Sequence, residues 1–220
     1  MAVHHHPHRT PGPRRPSPPS PPAPPSLSGG RASGAAGSAV RDEGATARPA
    51  ASAYALAGLR LVTGFVFLWV FLDKTFGLGY ATPSGKGWLD GGSPTAGFLG
   101  GVRVGPMESA FHAWAGAAWA DWLFMLGLLG VGLALTAGVA LRCAALAGTV
   151  MMALMWIAEW PPARHLSDGS ASMSTNPFAD YHLVYAVVLI ALAAASAGDT
   201  LGLGRAWSRL PLVRRGTWLR

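Results

Sequence analysis

The chain has 220 residues, a formal net charge of +7, 50% hydrophobic residues and only 12% charged ones. A soluble domain carries about 25% charged residues, so this composition argues against one and points to a bilayer protein, provided the apolar residues fall in long runs. The basic residues lie mostly beside apolar runs and not on one soluble patch, which reads as membrane topology and excludes a nucleic-acid partner. There is one cysteine, Cys143, so the chain by itself can run no dithiol relay and build no cysteine zinc site.

Residues 1–52 are rich in Pro, Ser, Ala, Gly and Arg and offer almost nothing to bury. Such a segment cannot offset the entropy of ordering and is expected to be a disordered cytoplasmic tail, with polyproline II character in the Pro run. His4, His5, His6 and His8 are read as part of that solvated tail. Arg14 and Arg15 form a twin-arginine pair, but Pro and Ser follow where an export signal needs an apolar stretch, so no cleaved signal is expected.

Residues 53–204 are expected to form an all-α membrane domain, an antiparallel bundle of four transmembrane helices. A span needs about 20 mostly apolar residues. Four runs qualify: Tyr54 to about Leu72, Asp121 to Ala140, Leu141 to Trp160, and Tyr181 to Gly198. The middle two join into a stretch too long for one span, and Gly138 and Arg142 mark a tight turn between them. On the first run, Arg60, Gly64, Phe67, Phe71 and Lys74 share one helical stripe, with Gly64 open to close approach by another helix.

The loop 75–120 is long and expected on the outer side. Ser93 followed by Pro94 reads as the opening of a short helix. The stretch "PMESAFHAWAGAAWA" reads as a helix lying at the membrane surface. Gly85 and Lys86 imitate a phosphate loop, but Gly87 stands where Ser or Thr is required. Residues 205–220 are expected to be a basic C-terminal tail.

Basic residues orient the bundle. Thirteen lie on the side of the termini and four, Lys74, Lys86, Arg103 and Arg164, on the other, which predicts a plasma-membrane protein with both termini cytoplasmic. Seven of nine tryptophans fall on the outer side, an excess that implies an ordered outer cap.

The chemistry-bearing residues gather at the outer helix ends: Asp73, Asp121, Glu159 and Asp180, joined by Lys74 and His182. Asp121 and Asp180 stand at helix N-termini, where capping accounts for them. Glu159 stands at a C-terminus, where the dipole opposes it, so it is expected to find a cation or face a polar cavity. Glu159, Asp180 and His182 are the candidate catalytic, proton-transferring groups. Arg60, Lys74 and Tyr185 are the candidate substrate contacts. The bland alternatives are a snorkelling Arg60 and core packing for the aromatic stripes. His182 with Tyr185, one turn apart, suits a quinone carbonyl or an anion. The histidines all lie near the outer surface, which suits no haem, and no metal or flavin motif is present.

The run "LRLVTGFVFLWVFLDK", with Arg60, Gly64 and Lys74, resembles the first helix of the DoxX/DoxD family of small four-helix membrane proteins. The segment "NPFADYHLVYAVVLIALAAASAGDTLGLGRAW" resembles the family's last helix and its exit, and the likeness spans about residues 55–210. The resemblance implies a subunit that passes electrons from thiosulfate or another sulfur compound to membrane quinone. Arg60 and Lys74 match the family's basic positions, and Asp180 matches its polar entry to the last helix. The candidate partners are the bilayer, a soluble or membrane oxidoreductase and a second copy of the chain. The rival expectation is a non-catalytic scaffold that anchors a soluble oxidoreductase.

Overall fold

The computed structural model describes residues 50–216. The expected tail, with its His cluster and twin arginines, lies almost wholly outside the described residues, as do residues 217–220. The described chain is all helical, without a strand; its one β-contact is an isolated bridge between His165 and Ala171.

Eight α-helices follow in order: α1 Ala51–Phe76, α2 Ala96–Gly100, α3 Glu108–Trp114, α4 Ala118–Ala137, α5 Leu141–Glu159, α6 Tyr181–Ala194, α7 Gly204–Trp207 and α8 Pro211–Arg215. Three of them, α1, α4 and α5, are long and apolar enough to cross a membrane. Their outward faces carry exposed large apolar residues, among them Val62 and Phe65 on α1, Leu123 and Leu126 on α4, and Leu146 and Val150 on α5. Water would penalise such faces, and hydrocarbon would not.

The expected fourth span is shorter than its apolar run. Helix α6 has 14 residues, about 21 Å at the usual rise, and stops at Ala194 instead of reaching Gly198. The cause is local: Ser196 takes a left-handed conformation (φ 48°) and the chain turns into a 3₁₀ turn over Ala197–Asp199. That turn seats Gly198 against the backbone of Gly138, so closely that any side chain at 198 would collide with the Gly138 carbonyl.

The bundle packs α1 on α4, α4 on α5 and α5 on α6. Small residues set these approaches. A Cβ on Gly64 would lie 2.8 Å from Thr136 Oγ1, and one on Gly132 would lie 2.7 Å from Leu68 Cγ, so α1 and α4 meet almost backbone to backbone. Phe67, Met125, Leu128, Val131, Leu135, Leu189 and Leu192 fill the core. The turn between α4 and α5 forms where Gly138 and Arg142 marked it. Gly138 is left-handed, and the Gly138 and Val139 amides both donate to Ala134 O.

A cap of loops and short helices folds over one end of the bundle. The Ser93 hydroxyl accepts from the Ala96 amide and so opens α2, as Ser–Pro spacing predicts. Helix α3 packs through Phe111 and Trp114 onto Val102, Ile157 and Ala158 in a second apolar cluster, so it is docked on α5. Two loops are stitched together where the Ser167 amide donates to Arg103 O (3.0 Å) and the Arg103 guanidinium pairs with Asp168 (3.4 Å). The expected C-terminal tail begins instead as two short helices, α7 and α8, with Val213 buried.

Candidate functional site

At the end of α5, the chain reverses through Trp160, which is left-handed (φ 42°), and returns after a loop to start α6. Asp180 caps that start: its Oδ1 accepts from the Leu183 amide at 3.1 Å, the role its position predicts. Its other oxygen, Oδ2, accepts from His182 Nδ1–H at 2.8 Å. One carboxylate therefore fixes the helix start and the imidazole together.

His182 is 1% exposed. With Nδ1 held by Asp180, its Nε2 points away from that partner and is buried with no hydrogen-bond partner. A polar ring nitrogen in an apolar bundle carries a desolvation penalty of about 1–3 kcal/mol unless something fills the gap. Glu159, the last residue of α5, brings Oε2 to 4.0 Å from His182 Nδ1, while its Oε1 accepts from the Tyr181 hydroxyl at 2.7 Å. Tyr181 stacks on His182 with ring centroids 4.0 Å apart. Glu159 thus faces a histidine and a phenol from the next helix.

The ligand-type atoms of Glu159, Asp180 and His182 all lie within 4.8 Å of one another, close enough to hold one metal ion. Linear spacing contains no such motif, because 20 residues of loop separate Glu159 from Asp180. Only the α5–α6 hairpin assembles it. The surrounding wall is aromatic. Trp156 Nε1–H donates to Phe178 O at 2.9 Å, and Trp156 meets Trp160 edge to face at 5.6 Å.

The remaining candidates divide among other places. Tyr185 lies one turn from His182 but packs edge to face on Phe67 at 6.3 Å, joining the core. Lys74 Nζ sits 5.9 Å from the ring centre of Phe124, facing α4. Arg60 lies at the opposite end of α1 and does not join the cluster. Its Nη1 donates to Leu135 O and to Thr136 O (2.9 Å), and its Nη2 donates to Leu201 O (2.8 Å). Arg60 is 0% exposed, so it does not snorkel; it satisfies the open carbonyls of the α4 terminus.

The expected convergence of four carboxylates is corrected in the same way. Asp73 is buried and accepts from the amides of Thr82 (2.8 Å) and Tyr80 (3.3 Å), which pins the loop after α1. Asp121 is not a cap. Helix α4 begins three residues earlier, and Asp121 Oδ1 accepts from the Ser93 hydroxyl (2.9 Å), the Thr95 amide (3.0 Å) and the Thr95 hydroxyl (2.6 Å). Sequence reasoning passed over Tyr181, whose signal was its place beside Asp180 and His182 at the helix start. A scan against protein-family models, a search of curated proteins and a search of solved structures each find no match to this chain.

Proposed function

We propose that this chain is a DoxX-like integral membrane subunit that binds a membrane quinone beside His182 and serves an oxidoreductase that draws electrons from a sulfur compound such as thiosulfate. In this reading α6 is the fourth span. Val184, Val187 and Ile190 give it an exposed apolar face like those of the three longer helices, and the bilayer thins or the flanking residues snorkel to meet its shorter length. The Arg-rich end is cytoplasmic.

One observation carries the reading: a buried imidazole held on one side by a carboxylate and left without a hydrogen-bond partner on the other. Quinone reduction takes two electrons and two protons. The imidazole, once protonated, donates through Nε2 to a quinone oxygen, and Asp180 stabilises the charged ring. Glu159 and Tyr181 connect the pair to the exposed surface, since Glu159 is 37% exposed. The electrons come from the partner, because the chain has one cysteine and no second to relay them.

The test is to purify the full chain in mild detergent and extract bound quinone for mass spectrometry. Stoichiometric quinone in the native protein, lost in His182→Ala, supports the reading. Equal thiosulfate-dependent quinone reduction in membranes from deletion and native strains, with no quinone bound, removes it and leaves the scaffold reading.

A further inference from the structure

We propose that the cavity between the end of α1 and the outer loop is a binding site for a small tetrahedral oxyanion, the chemistry shared by free sulfate or phosphate and by a lipid phosphate headgroup. The cavity encloses about 340 Å³ and is lined by Lys74, Thr82, Lys86, Ser93 and Phe98, with small residues between them. It shares no lining residue with the His182 cluster, so it stands or falls apart from the quinone reading.

The charge distribution carries the inference. Two lysines line this one cavity, and no carboxylate does. The three ion pairs among the described residues involve Arg103 and His182, so neither lysine has an acidic partner within 4.0 Å. The acids nearest in sequence are committed elsewhere. Asp73, next to Lys74, turns both oxygens onto the Tyr80 and Thr82 amides. Asp121 uses its Oδ1 on Ser93 and Thr95. Lys74 is half-buried on a membrane helix, where a charge is costly, and the neighbouring Asp73 offsets that cost only in part, from beyond salt-bridge distance. The Phe124 ring at 5.9 Å softens that cost but does not neutralise the charge. An anion held in the cavity that both lysines line would do so.

The loop is built to hold the lysines there. The Lys86 amide donates to Pro83 O (3.0 Å), and the Gly92 amide donates to Gly87 O (3.0 Å). Gly87 packs so tightly that a Cβ on it would lie 2.7 Å from Thr75 O. The cavity rim is therefore fixed to the end of α1 by backbone contacts. Two flexible ammonium heads present point charges to a tetrahedral anion, where a planar guanidinium would favour a bidentate grip.

The experiment uses the full chain in detergent and in nanodiscs. In detergent, isothermal titration with sodium sulfate and sodium phosphate is compared between the native protein and Lys74→Met with Lys86→Met. Saturable binding that weakens more than about tenfold in the double variant assigns the site to a free oxyanion, because each lost charge-assisted hydrogen bond exceeds that factor. In nanodiscs, native mass spectrometry compares retained phosphatidylglycerol with retained phosphatidylcholine. Selective retention of the anionic lipid, lost in the double variant, assigns the site to a headgroup. Thermal unfolding of the double variant controls for folding: a melting temperature near the native value shows that lost binding is not lost structure. Absence of both kinds of binding, or binding equal in native and double-variant protein, overturns the proposal.

Discussion

Arg60 on α1 and Leu201 beyond α6 are 141 positions apart in sequence and joined by one hydrogen bond of 2.8 Å. With the bonds from the same guanidinium to Leu135 O and Thr136 O, this contact ties the first helix, the end of α4 and the segment after the last helix into one junction. Gly138 and Gly202 leave the room it needs: a Cβ on Gly138 would lie 3.0 Å from Arg60 Nη1, and one on Gly202 would lie 3.1 Å from Nη2. Arg60→Met is expected to destabilise the bundle by about 2–5 kcal/mol, because it strips three carbonyls, the buried one of Leu135 among them, of their donor. Thermal unfolding in detergent reads this directly. A melting temperature within a degree of the native value would show that the junction contributes nothing.

Gly64 is a close meeting point of α1 and α4, with Thr136 and Leu135 within 3.0 Å of where a Cβ would stand. Gly64→Leu is expected to cost about 1–3 kcal/mol through forced separation of the helices. Gly58 has open space around it and serves as the control. If Gly64→Leu and Gly58→Leu melt alike, close packing at Gly64 is not what holds α1 to α4.

Asp180 has two duties that substitution can separate. Asp180→Asn retains a capping oxygen for the Leu183 amide but withdraws the negative charge from His182. Asp180→Ala loses both, at about 1 kcal/mol for the cap alone. The Asn variant is expected to melt near the native temperature yet lose bound quinone, and the Ala variant to lose both. Native quinone content in Asp180→Asn would show that the carboxylate charge plays no part in ligand binding.

Asp121 holds the cap through Ser93 and Thr95, which are far from it in sequence. Asp121→Ala leaves the buried Thr95 amide without its acceptor and should free the segment 93–101. Hydrogen exchange is the measurement. Amides of that segment should exchange at least tenfold faster, a change of about 1.4 kcal/mol in local opening. Unchanged protection would mean that the segment is held by its apolar contacts alone.

The Arg103–Asp168 loop contact is expected to be sensitive to acid. The Ser170 hydroxyl and amide, with Arg103 nearby, hold the Asp168 carboxyl below its usual range. A carboxylate with a lowered folded pKa stabilises above its unfolded pKa, and that contribution disappears as pH falls through the folded value. The loop 164–172 should therefore stay protected at neutral pH and loosen only at strongly acid pH. Asp168→Asn should flatten that dependence. The same acid loosening in the variant would assign it to another group.

Much of the bundle was legible because its signals are local. Runs of apolar residues of span length, a glycine at 138 and a proline after Ser93 each act through neighbours in sequence, and the helices and turns formed where those signals stood. Asp180 was readable as a cap for the same reason: its partner is three residues away. The end of α6 was not readable, because the apolar run continues to Gly198 while the backbone turns earlier to seat Gly198 on Gly138.

The fates of the charged residues were decided by tertiary structure. Asp73, Asp121, Glu159 and Asp180 look alike as carboxylates at helix ends. Two of them were drawn off by loop amides and hydroxyls, and two met His182 and Tyr181 across the α5–α6 hairpin. Arg60 looked like a surface-seeking cation and became the most buried charge in the bundle. The physical reason is that burial of a charge is tolerated only where partners arrive with the right geometry, and those partners come from segments that only folding brings together. By itself the sequence determined which stretches are helical and apolar; which charges share a site was decided when the helices packed.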